Sequence, residues 1–509
     1  MNDVLHHVVE HARRDSQHLA VKDADGELTY GQLTERAGRA ATALSSRGVV
    51  SGDRVVLLLQ NSIDYVVAAL ASLWIGAIFV PLDATDPKQR LASLMRDCQP
   101  TAIITNGQFD ETTLPKDLDT SIYMSLTQLL NGTAEAKEAL PIIERPSYII
   151  YTSGTTGTPK GVTVGSSAFE ASVASICDAL GLGPTTRTLS VSPFHFDGSF
   201  ATLFTTLVCG GTLIIRPRES LLFPRFFFNT IVTESVTYTG FSPSYLRSLE
   251  SDPQFDQLAK SNLKVIALGG EACSVSDVEN IWSVMPQLRI FNRYGPTETI
   301  IAVTHIELTP SNVARGVVPI GKPHPGVSFY LVGDSGRIIH EPNMAGELYI
   351  GGRQLMDGYW NSPELTAKAL RTDIVKDQLL YRTGDIVYLN SDGDYVYVDR
   401  VDQVIKRNGI RISLQEVSDA FRKISAVSSA TSSAFNNDGA LGIATFLVVN
   451  SDLSRADLHR WARDFLPASM LPDRIEVVSS LPLTPSGKLD ERTLLSQAGL
   501  EPLAKRPIQ

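Results

Sequence analysis

Residues 151–160, YTSGTTGTPK, combine the residue types that bind phosphate. Glycines allow tight bends that bring backbone N–H groups together, and hydroxyl side chains add further donors for phosphate oxygens. An ordinary Ser/Thr/Gly linker would not need the apolar strand-like run before this segment or the lysine that closes it. The segment is not a Walker A loop, because Pro159 stands where that motif requires glycine. We expect a nucleoside triphosphate to be bound through Thr152, Ser153, Gly154, Thr155, Thr156, Gly157 and Lys160.

Four further segments carry residues suited to binding phosphate, ribose or adenine. GGEA at 269–272 follows a strand-like run, and NRYGPTE at 292–298 joins an aromatic ring, a tight turn, a hydroxyl and a carboxylate. YRTGD at 381–385 places a carboxylate after a turn, and SGKLD at 486–490 presents a lysine on a glycine-flanked loop. Each pattern is weak evidence alone, because short motifs recur by chance. Their joint occurrence in this order is much stronger evidence for a nucleotide-binding enzyme.

The elements that must position these segments follow an α/β pattern. Residues 33–44 have helical spacing, whereas 54–59 form a continuous apolar strand. Such buried strands alternating with helices predict parallel sheets covered on both faces. Beyond about residue 320, glycine turns and short alternating strands predominate, and a smaller helix-and-strand piece follows residues 400–402. We expect a domain boundary and hinge there, although those residues taken alone favour an ordinary surface turn.

The composition is that of a soluble globular protein. The chain has 509 residues and a net charge of −10, so nucleic acid is not expected as a partner. Its four scattered cysteines and the absence of a signal-peptide pattern predict a cytoplasmic protein with reduced thiols. Residues 65–82 are almost free of polar groups, but Gly76 and Pro81 interrupt them. We therefore expect a buried helix and strand there and no membrane contact.

Taken together, the segments resemble those of the adenylate-forming superfamily, which comprises acyl-CoA synthetases, luciferases and the adenylation domains of nonribosomal peptide synthetases. The resemblance runs from LTYGQL at 28–33 to Lys488, and residues 400–412 and 466–472 look most like the amino-acid-activating branch. It implies an α/β fold: a large N-terminal domain of parallel-type sheets flanked by helices, with a small β-barrel-like part, and a small mobile α+β C-terminal domain. We expect these domains at 1–401 and 402–509, with Asp402 as the hinge.

The resemblance also implies a reaction in two halves, with ATP and Mg²⁺ as cofactors. A carboxylate attacks the α-phosphate of ATP to give acyl-AMP and pyrophosphate, and a thiol then takes the acyl group. The family's mobile catalytic lysine matches Lys488, Thr297 matches a contact to the α-phosphate, and Glu298 matches the Mg²⁺ ligand. Cations near the reacting groups offset the repulsion between a carboxylate and a polyphosphate. The remaining positions that match the family's nucleotide site are Gly270, Glu271, Ala272, Asn292, Tyr294 (adenine stacking), Gly295, Asp385 and Arg400 (ribose), and Tyr397.

The sequence departs from the family pattern at two positions. Asp399 stands where the family usually has glycine before the arginine, which puts the hinge geometry in doubt. His195 lies inside the substrate motif, where we favour a packing role over proton transfer, because a lone histidine is weak evidence for catalysis.

The substrate pocket carries an unusual pair of charged residues. By resemblance, Asp197 binds the ammonium group of an amino acid, the natural partner of a buried carboxylate. Arg293 also matches a pocket position, and its guanidinium predicts a second carboxylate on the substrate, as in aspartate, 3-methylaspartate or a related β-amino acid. Alternatively, Arg293 pairs with Asp197 or turns to solvent and selects nothing. The other pocket positions are Phe196, Gly198, Ala201, Gly240, Ala267, Gly269, Ile301 and Ala302, most of them small enough to leave room for the arginine.

The acceptor is expected to be the phosphopantetheine thiol of a separate carrier protein. Few residues follow Lys488, so we interpret the chain as a freestanding ligase, with residues 408–409 lining the thiol's approach. An amino-acid–CoA ligase or an amide ligase would use the same adenylate. A nucleotide-binding regulator without catalysis is disfavoured by the presence of Lys488, Glu298 and Asp385, and a membrane-associated fatty-acyl ligase by the charged pocket.

Overall fold

The computed structural model describes residues 3–106, 123–130, 144–153, 159–314, 316–401, 404–437, 439–450, 453–482 and 489–503. Six predicted site residues lie outside the described residues: Gly154, Thr155, Thr156 and Gly157 of the phosphate loop, the hinge Asp402, and the catalytic Lys488.

Helices and strands alternate through the first part of the chain and strands dominate after it, as predicted. The described α-helices are α1 (Val4–Arg14), α2 (Tyr30–Ser46), α3 (Ile63–Trp74), α4 (Lys88–Cys98), α5 (Leu126–Leu130), α6 (Ser166–Leu180), α7 (Phe200–Val208), α8 (Arg218–Leu221), α9 (Pro224–Thr233), α10 (Pro243–Glu250), α11 (Val275–Val284), α12 (Pro310–Val313), α13 (Pro363–Ala369), α14 (Leu414–Arg422), α15 (Arg455–Phe465) and α16 (Glu491–Gln497). Short 3-10 helices lie at Asp197–Ser199, Phe255–Lys260, Thr297–Thr299 and Ala468–Met470.

The strands fall into a first, mainly parallel group and a later, mainly antiparallel group. The first group is β1 (Leu19–Lys22), β2 (Glu27–Thr29), β3 (Arg54–Leu58), β4 (Ile78–Pro81), β5 (Ala102–Thr105), β6 (Tyr123–Ser125), β7 (Pro146–Thr152), β8 (Lys160–Gly165), β9 (Arg187–Ser190), β10 (Thr212–Ile215), β11 (Tyr238–Phe241), β12 (Val265–Gly269), β13 (Arg289–Tyr294) and β14 (Thr304–Glu307). The later group is β15 (Val327–Val332), β16 (Ile338–Ile339), β17 (Ala345–Gly352), β18 (Gly358–Tyr359), β19 (Leu370–Arg371), β20 (Leu380–Leu389), β21 (Tyr395–Arg400), β22 (Val404–Arg407), β23 (Ile410–Ser413), β24 (Val427–Asn437), β25 (Ala440–Val449), β26 (Arg474–Val477) and β27 (Glu501–Pro502).

Two mainly parallel sheets share one core. The eight-stranded sheet has the order β14-β13-β12-β11-β9-β10-β1-β2, and the seven-stranded sheet has the order β18-β8-β7-β4-β3-β5-β6. Phe169 on α6 and Phe200 and Phe204 on α7 pack against Phe79 and Tyr148 of the seven-stranded sheet, with ring centroids 4.9–6.0 Å apart. Buried side chains of both sheets belong to the same cluster. The predicted α/β class with helix-covered parallel sheets is confirmed.

The apolar stretch at 65–82 forms a helix and a strand inside this core. Ser62 caps α3, and Gly76 makes the turn into β4 with φ +69, a conformation that favours glycine. Within the described part of the chain, no helix has the length and apolarity needed to cross a membrane.

The later strands build three smaller sheets. A six-stranded antiparallel sheet joins β15–β17 and β19–β21 and corresponds to the predicted β-barrel-like part. After β21 come the hairpin of β22 and β23 and the four-stranded sheet β26-β25-β24-β27, which have buried clusters of their own. The division into domains at residue 401 stays a prediction.

Candidate active site

Residues from several of the predicted nucleotide and substrate segments line one large cavity of about 630 Å³. Residues at the C-terminal ends of β7, β9, β11, β12 and β13 line it, together with residues of β20, β21, the β22–β23 hairpin and residues 467–470. The C-terminal edge of parallel strands is where α/β folds place their ligands. The cavity lies between the parallel sheets and the elements that follow β21.

Asp197 begins a short 3-10 helix in the cavity wall. The Thr297 hydroxyl and the backbone N–H groups of Gly198 and Ile301 donate hydrogen bonds to its carboxylate. Burial outweighs these bonds and raises the pKa of Asp197 to about 6. A cationic group in the cavity would therefore strongly stabilise the ionised form of the Asp197 carboxylate.

Arg293 lies across the floor of the same cavity and is only 8% exposed. A Cβ atom at Gly269, its neighbour on β12, would lie 2.3 Å from the Arg293 Cγ and 2.7 Å from its Nε. A Cβ at Gly240 on β11 would lie 3.5 Å from Nη1. The arginine therefore extends over the space that these two glycines leave open, as predicted from the small residues of the pocket.

The described residues leave the guanidinium of Arg293 incompletely satisfied. Nη1 is buried without a hydrogen bond, and Tyr238 and Asp197 interact with the guanidinium through electrostatic attraction. Burial lowers the pKa of Arg293, but a guanidinium keeps its charge in proteins. Arg293 is therefore not exposed to solvent, and it is attracted to Asp197 without a hydrogen bond between the two side chains among the described contacts.

Two consecutive β-branched residues in the cavity wall have left-handed backbones: φ is +56 at Ile300 and +63 at Ile301. Each such outlier costs about 1–3 kcal/mol and persists only where the surroundings enforce it. Ser172 on α6 donates to the carbonyl of Ile300 at 2.7 Å, and the Ile301 N–H donates to Asp197. The strained turn thus helps to hold the carboxylate in place.

Asp385 and Arg400 face each other across β20 and β21. Arg400 donates to Asp385 Oδ1 and to the Thr383 carbonyl, and the Tyr294 hydroxyl donates to Asp385 Oδ2 at 2.5 Å. Tyr294 is 6% exposed and Lys406 Nζ lies 5.9 Å from its ring centroid. Hydrogen bonds therefore join the predicted ribose and adenine residues into one network. Their roles toward a nucleotide stay predictions.

Glu298 is 1% exposed and is held by two neighbours. Arg411 Nη1 donates to both carboxylate oxygens at 3.0 and 3.1 Å, and the Tyr359 hydroxyl donates at 2.8 Å. Burial acts to raise the pKa of Glu298, but Arg411 and Tyr359 outweigh it and hold the pKa below its ordinary value. A single ionised carboxylate suits Mg²⁺, which is commonly held by one or two carboxylates and substrate phosphates.

The β22–β23 hairpin brings two cations into the cavity that the sequence analysis did not single out. Lys406 and Arg411 are opposite each other in the ladder and both line the cavity. Asn408 and Gly409 make the turn with φ +55 and +77, as two-residue hairpin turns require. An Asn-Gly pair between alternating residues is a strong hairpin signal, so this arrangement was available from the sequence.

The hairpin is fastened to the first part of the chain at its tip. The Gly409 N–H donates to Glu271 Oε1 at 2.8 Å, and the Ser244 N–H donates to Glu271 Oε2 at 3.0 Å. Gly270, with φ +83, approaches so closely that a Cβ there would lie 3.3 Å from the Gly409 Cα. On the other side, Ser153 Oγ donates to the Arg411 carbonyl at 2.7 Å.

Of the 24 predicted residues that the structure describes, 13 line the cavity and 11 do not. The predicted residues that line it are Thr152, Ser153, Phe196, Asp197, Gly198, Gly269, Gly270, Arg293, Gly295, Thr297, Ile301, Asp385 and Arg400. Those that do not are Lys160, Ala201, Gly240, Ala267, Glu271, Ala272, Asn292, Tyr294, Glu298, Ala302 and Tyr397. Asn292 donates to the Pro319 carbonyl and Ala272 is exposed, so neither side chain reaches the cavity.

His195 lies in the cavity wall beside Asp83, with 3.6 Å between His195 Nε2 and Asp83 Oδ2. Burial lowers the pKa of His195 to about 4, so the ring is neutral at pH 7. Its ring packs on Phe196 at 4.3 Å, which agrees with the packing role expected for it.

This fold and cavity define the class of protein. The chain belongs to the family of AMP-binding enzymes, which matches residues 8–360. It is an ATP-dependent, AMP-forming ligase of the adenylate-forming superfamily, with ATP and Mg²⁺ as cofactors.

Particular members of the superfamily resemble most of the chain. Gramicidin S synthase 2 of Brevibacillus brevis is 30% identical over 500 residues, which are 97% of this chain and 11% of that protein. Tyrocidine synthase 3 of Brevibacillus parabrevis is 31% identical over 491 residues, 95% of this chain and 8% of that protein. The chain thus spans only a small part of these relatives. The structure of the amide bond synthetase McbA from Marinactinospora thermotolerans is 25% identical with a TM-score of 0.85, covering 97% of this chain and 99% of that chain.

Proposed function

We propose that this enzyme adenylates an amino acid that carries a second carboxylate, and that it then transfers the aminoacyl group to a thiol. The substrate carboxylate attacks the α-phosphorus of ATP and pyrophosphate leaves. The thiol then attacks the acyl carbon and releases AMP and a proton, leaving an aminoacyl thioester. The observation that carries the choice of substrate is the presence of two buried charges in one cavity, Asp197 and Arg293, of which the arginine has a nitrogen without a hydrogen bond.

Asp197 supports the amino acid part of the proposal. Its carboxylate already accepts hydrogen bonds from neutral donors, yet burial keeps its pKa near 6. A substrate ammonium group would supply the missing counter-charge. The named relatives, a gramicidin S synthase and a tyrocidine synthase, agree with an amino acid substrate.

Arg293 supports the second carboxylate. A buried guanidinium without an acceptor is costly, and a bidentate carboxylate satisfies it with two charge-assisted hydrogen bonds. Because Arg293 takes up the floor between Gly240 and Gly269, the space left favours a short side chain. We propose aspartate, 3-methylaspartate or a related β-amino acid as the substrate.

The phosphates of ATP would meet the two cations of the β22–β23 hairpin. Lys406 and Arg411 line the cavity, and Ser153, at the start of the predicted phosphate loop, donates to the Arg411 carbonyl. Mg²⁺ held by Glu298 would neutralise the phosphates, and Arg411 must then give up its bonds to that carboxylate. Thr297 lines the cavity and is hydrogen-bonded to Asp197, and its position in the cavity wall suits the predicted contact to the α-phosphate.

For the second half of the reaction we propose a separate carrier protein as the acceptor. We further propose that residues 402–509 form a mobile domain, turning about Asp402, that carries Lys488 to the α-phosphate. The contacts of the β22–β23 hairpin with Glu271, Glu298 and Ser153 support a functional interface between the two parts. An amide ligase is the second candidate, because McbA matches almost the whole chain and carries that name.

Substrate-dependent ATP–pyrophosphate exchange tests the proposal. The panel includes aspartate, 3-methylaspartate, glutamate, β-alanine, asparagine and neutral β-amino acids, with wild type and Arg293→Ala. We expect exchange with an amino dicarboxylate, and a loss of about 100-fold or more in kcat/KM for it on Arg293→Ala, because charge-assisted bonds are lost. The kcat/KM for asparagine should fall only a few-fold on the same substitution. Exchange with neutral acids alone would retain the ligase and overturn the role of Arg293.

Replacement of Lys488 tests the first half reaction separately. Lys488→Ala should nearly abolish exchange while aminoacyl transfer from a supplied aminoacyl adenylate continues, because the lysine is proposed to act on the α-phosphate. Exchange at the wild-type rate would show that another residue performs that role.

A further inference from the structure

Two large apolar side chains stand exposed at the entrance of the cavity. Leu222 is 62% exposed and Phe223 is 68% exposed. They lie in the turn between α8 and α9, and the residues before them, Arg218 and Leu221, line the cavity together with Leu222. We call residues 218–225 the rim turn. Contiguous exposed apolar surface rimmed by polar residues is a feature of interaction sites.

The backbone of the rim turn holds these side chains outward. Leu221 is 2% exposed, and the Tyr245 hydroxyl donates to its carbonyl at 2.6 Å. The Phe223 N–H donates to the Ser220 carbonyl at 3.0 Å, and the Phe226 N–H donates to the Phe223 carbonyl at 2.9 Å. These bonds fix the path of the backbone at Phe223, which directs its side chain away from the core.

The charges of the rim turn differ in sign from those of the whole chain. The net charge of the protein is −10, whereas Arg218 and Arg225 flank the apolar pair and are exposed, with Glu219 as the acidic side chain of the turn. Arg218 interacts electrostatically with Asp83 of the cavity wall. A partner with an anionic group next to an apolar surface would complement this arrangement.

We propose that the rim turn is the docking surface for the carrier protein whose phosphopantetheine thiol enters the cavity; this inference rests on the proposed function. Phe223 and Leu222 contact the carrier's apolar surface, and Arg218 faces the phosphodiester that joins the arm to the carrier. The apolar area is small, which suits a partner that must dissociate after every turnover.

Aminoacyl transfer by the full chain tests this surface. The acceptors are a holo acyl carrier protein, a holo peptidyl carrier domain and free pantetheine, which lacks the protein surface. The variants are Phe223→Ser and Arg225→Glu, with Leu379→Ser as a control, because Leu379 is 44% exposed and does not line the cavity. Pyrophosphate exchange and sedimentation velocity are measured for every variant.

We expect Phe223→Ser and Arg225→Glu to lower kcat/KM for the accepted carrier by about tenfold, a typical loss for a central interface residue. Exchange and transfer to pantetheine should stay at the wild-type rate, as should all rates of Leu379→Ser. Unchanged carrier rates, or equal losses with pantetheine, would overturn the proposal, and so would loading of pantetheine but neither carrier. A wild-type dimer that Phe223→Ser dissociates would assign the surface to a second copy instead. Absence of exchange in the wild type would refute the proposed function itself.

Discussion

Arg293 occupies the volume that any side chain at position 269 would need. The two residues are neighbours in the parallel ladder of β12 and β13, and a Cβ at Gly269 would overlap the Arg293 Cγ at 2.3 Å. The glycine and the arginine therefore form one unit, in which the absent side chain allows the long one to cross the pocket floor.

Gly269→Ala should consequently act on the substrate preference through Arg293. The added methyl group displaces the arginine, and overpacking of this kind costs about 1–3 kcal/mol. We expect exchange with an amino dicarboxylate to fall at least about tenfold in kcat/KM, and exchange with asparagine to change less. Gly183→Ala is the control, because a Cβ there meets no atom within 4 Å. A parallel loss with both substrates would show that the methyl group acts elsewhere.

The pKa of Asp197 predicts how substrate binding depends on pH. In the free enzyme this pKa is about 6, raised by burial, and a bound ammonium group lowers it again. Below pH 6 binding must therefore expel a proton, so the KM for the amino acid should rise by up to about tenfold per pH unit and stay constant above pH 7. The measurement is KM from pH 5 to 8 by exchange.

Two other aspartates provide controls for this profile. Burial also raises the pKa of Asp86, which lines the cavity, and of Asp357, which does not, to about 6. Asp86→Asn and Asp357→Asn should keep the rise in KM below pH 6, whereas Asp197→Asn should remove it and raise KM throughout. Disappearance of the rise in Asp86→Asn would assign the titration to that residue.

Removal of the Arg411 guanidinium should leave the Glu298 carboxylate available to bind Mg²⁺. Breaking a buried pair by removing one partner costs about 3–5 kcal/mol, because the remaining charge is uncompensated. Arg411→Met should therefore lower Tm, and Mg²⁺ should raise it again by more than it raises that of wild type. Arg382→Met, which breaks the more exposed pair with Glu347, should have little effect, since such pairs contribute about 0–1 kcal/mol. An equal Mg²⁺ response in wild type and Arg411→Met would remove Glu298 as a metal ligand.

The tip of the hairpin requires glycine for two reasons. Gly409 has φ +77, and a Cβ there would lie 3.3 Å from the Ser242 Cβ. Gly439, in the turn between β24 and β25, has φ +87 but meets no atom within 4 Å. Alanine at either position costs about 1 kcal/mol of backbone strain. Hydrogen exchange at residues 404–413 should accelerate in Gly409→Ala and remain unchanged in Gly439→Ala. Acceleration in both variants would mean that backbone strain, and not the contact with Ser242, accounts for the loosening of the hairpin.

Much of this arrangement could be predicted from the sequence. Alternating apolar strands and helices indicated the parallel sheets, and the small residues around the pocket indicated room for Arg293, which lies in that space. The left-handed backbones of Ile300 and Ile301 could not be predicted, because β-branched residues disfavour this conformation and only tertiary contacts, such as that from Ser172, enforce it. The pairing of Glu298 with Arg411 joins residues far apart in sequence, so no local pattern indicates it.

The ladder register of the hairpin has a last consequence for the electrostatics of the cavity. Lys406 and Arg411 are cross-strand partners on one short, hydrogen-bonded unit, so their positions are mechanically linked. Any displacement of that unit adds or withdraws two elementary charges together. The potential felt by an anion in the cavity therefore depends on the position of the hairpin as a whole, in addition to the motions of its side chains.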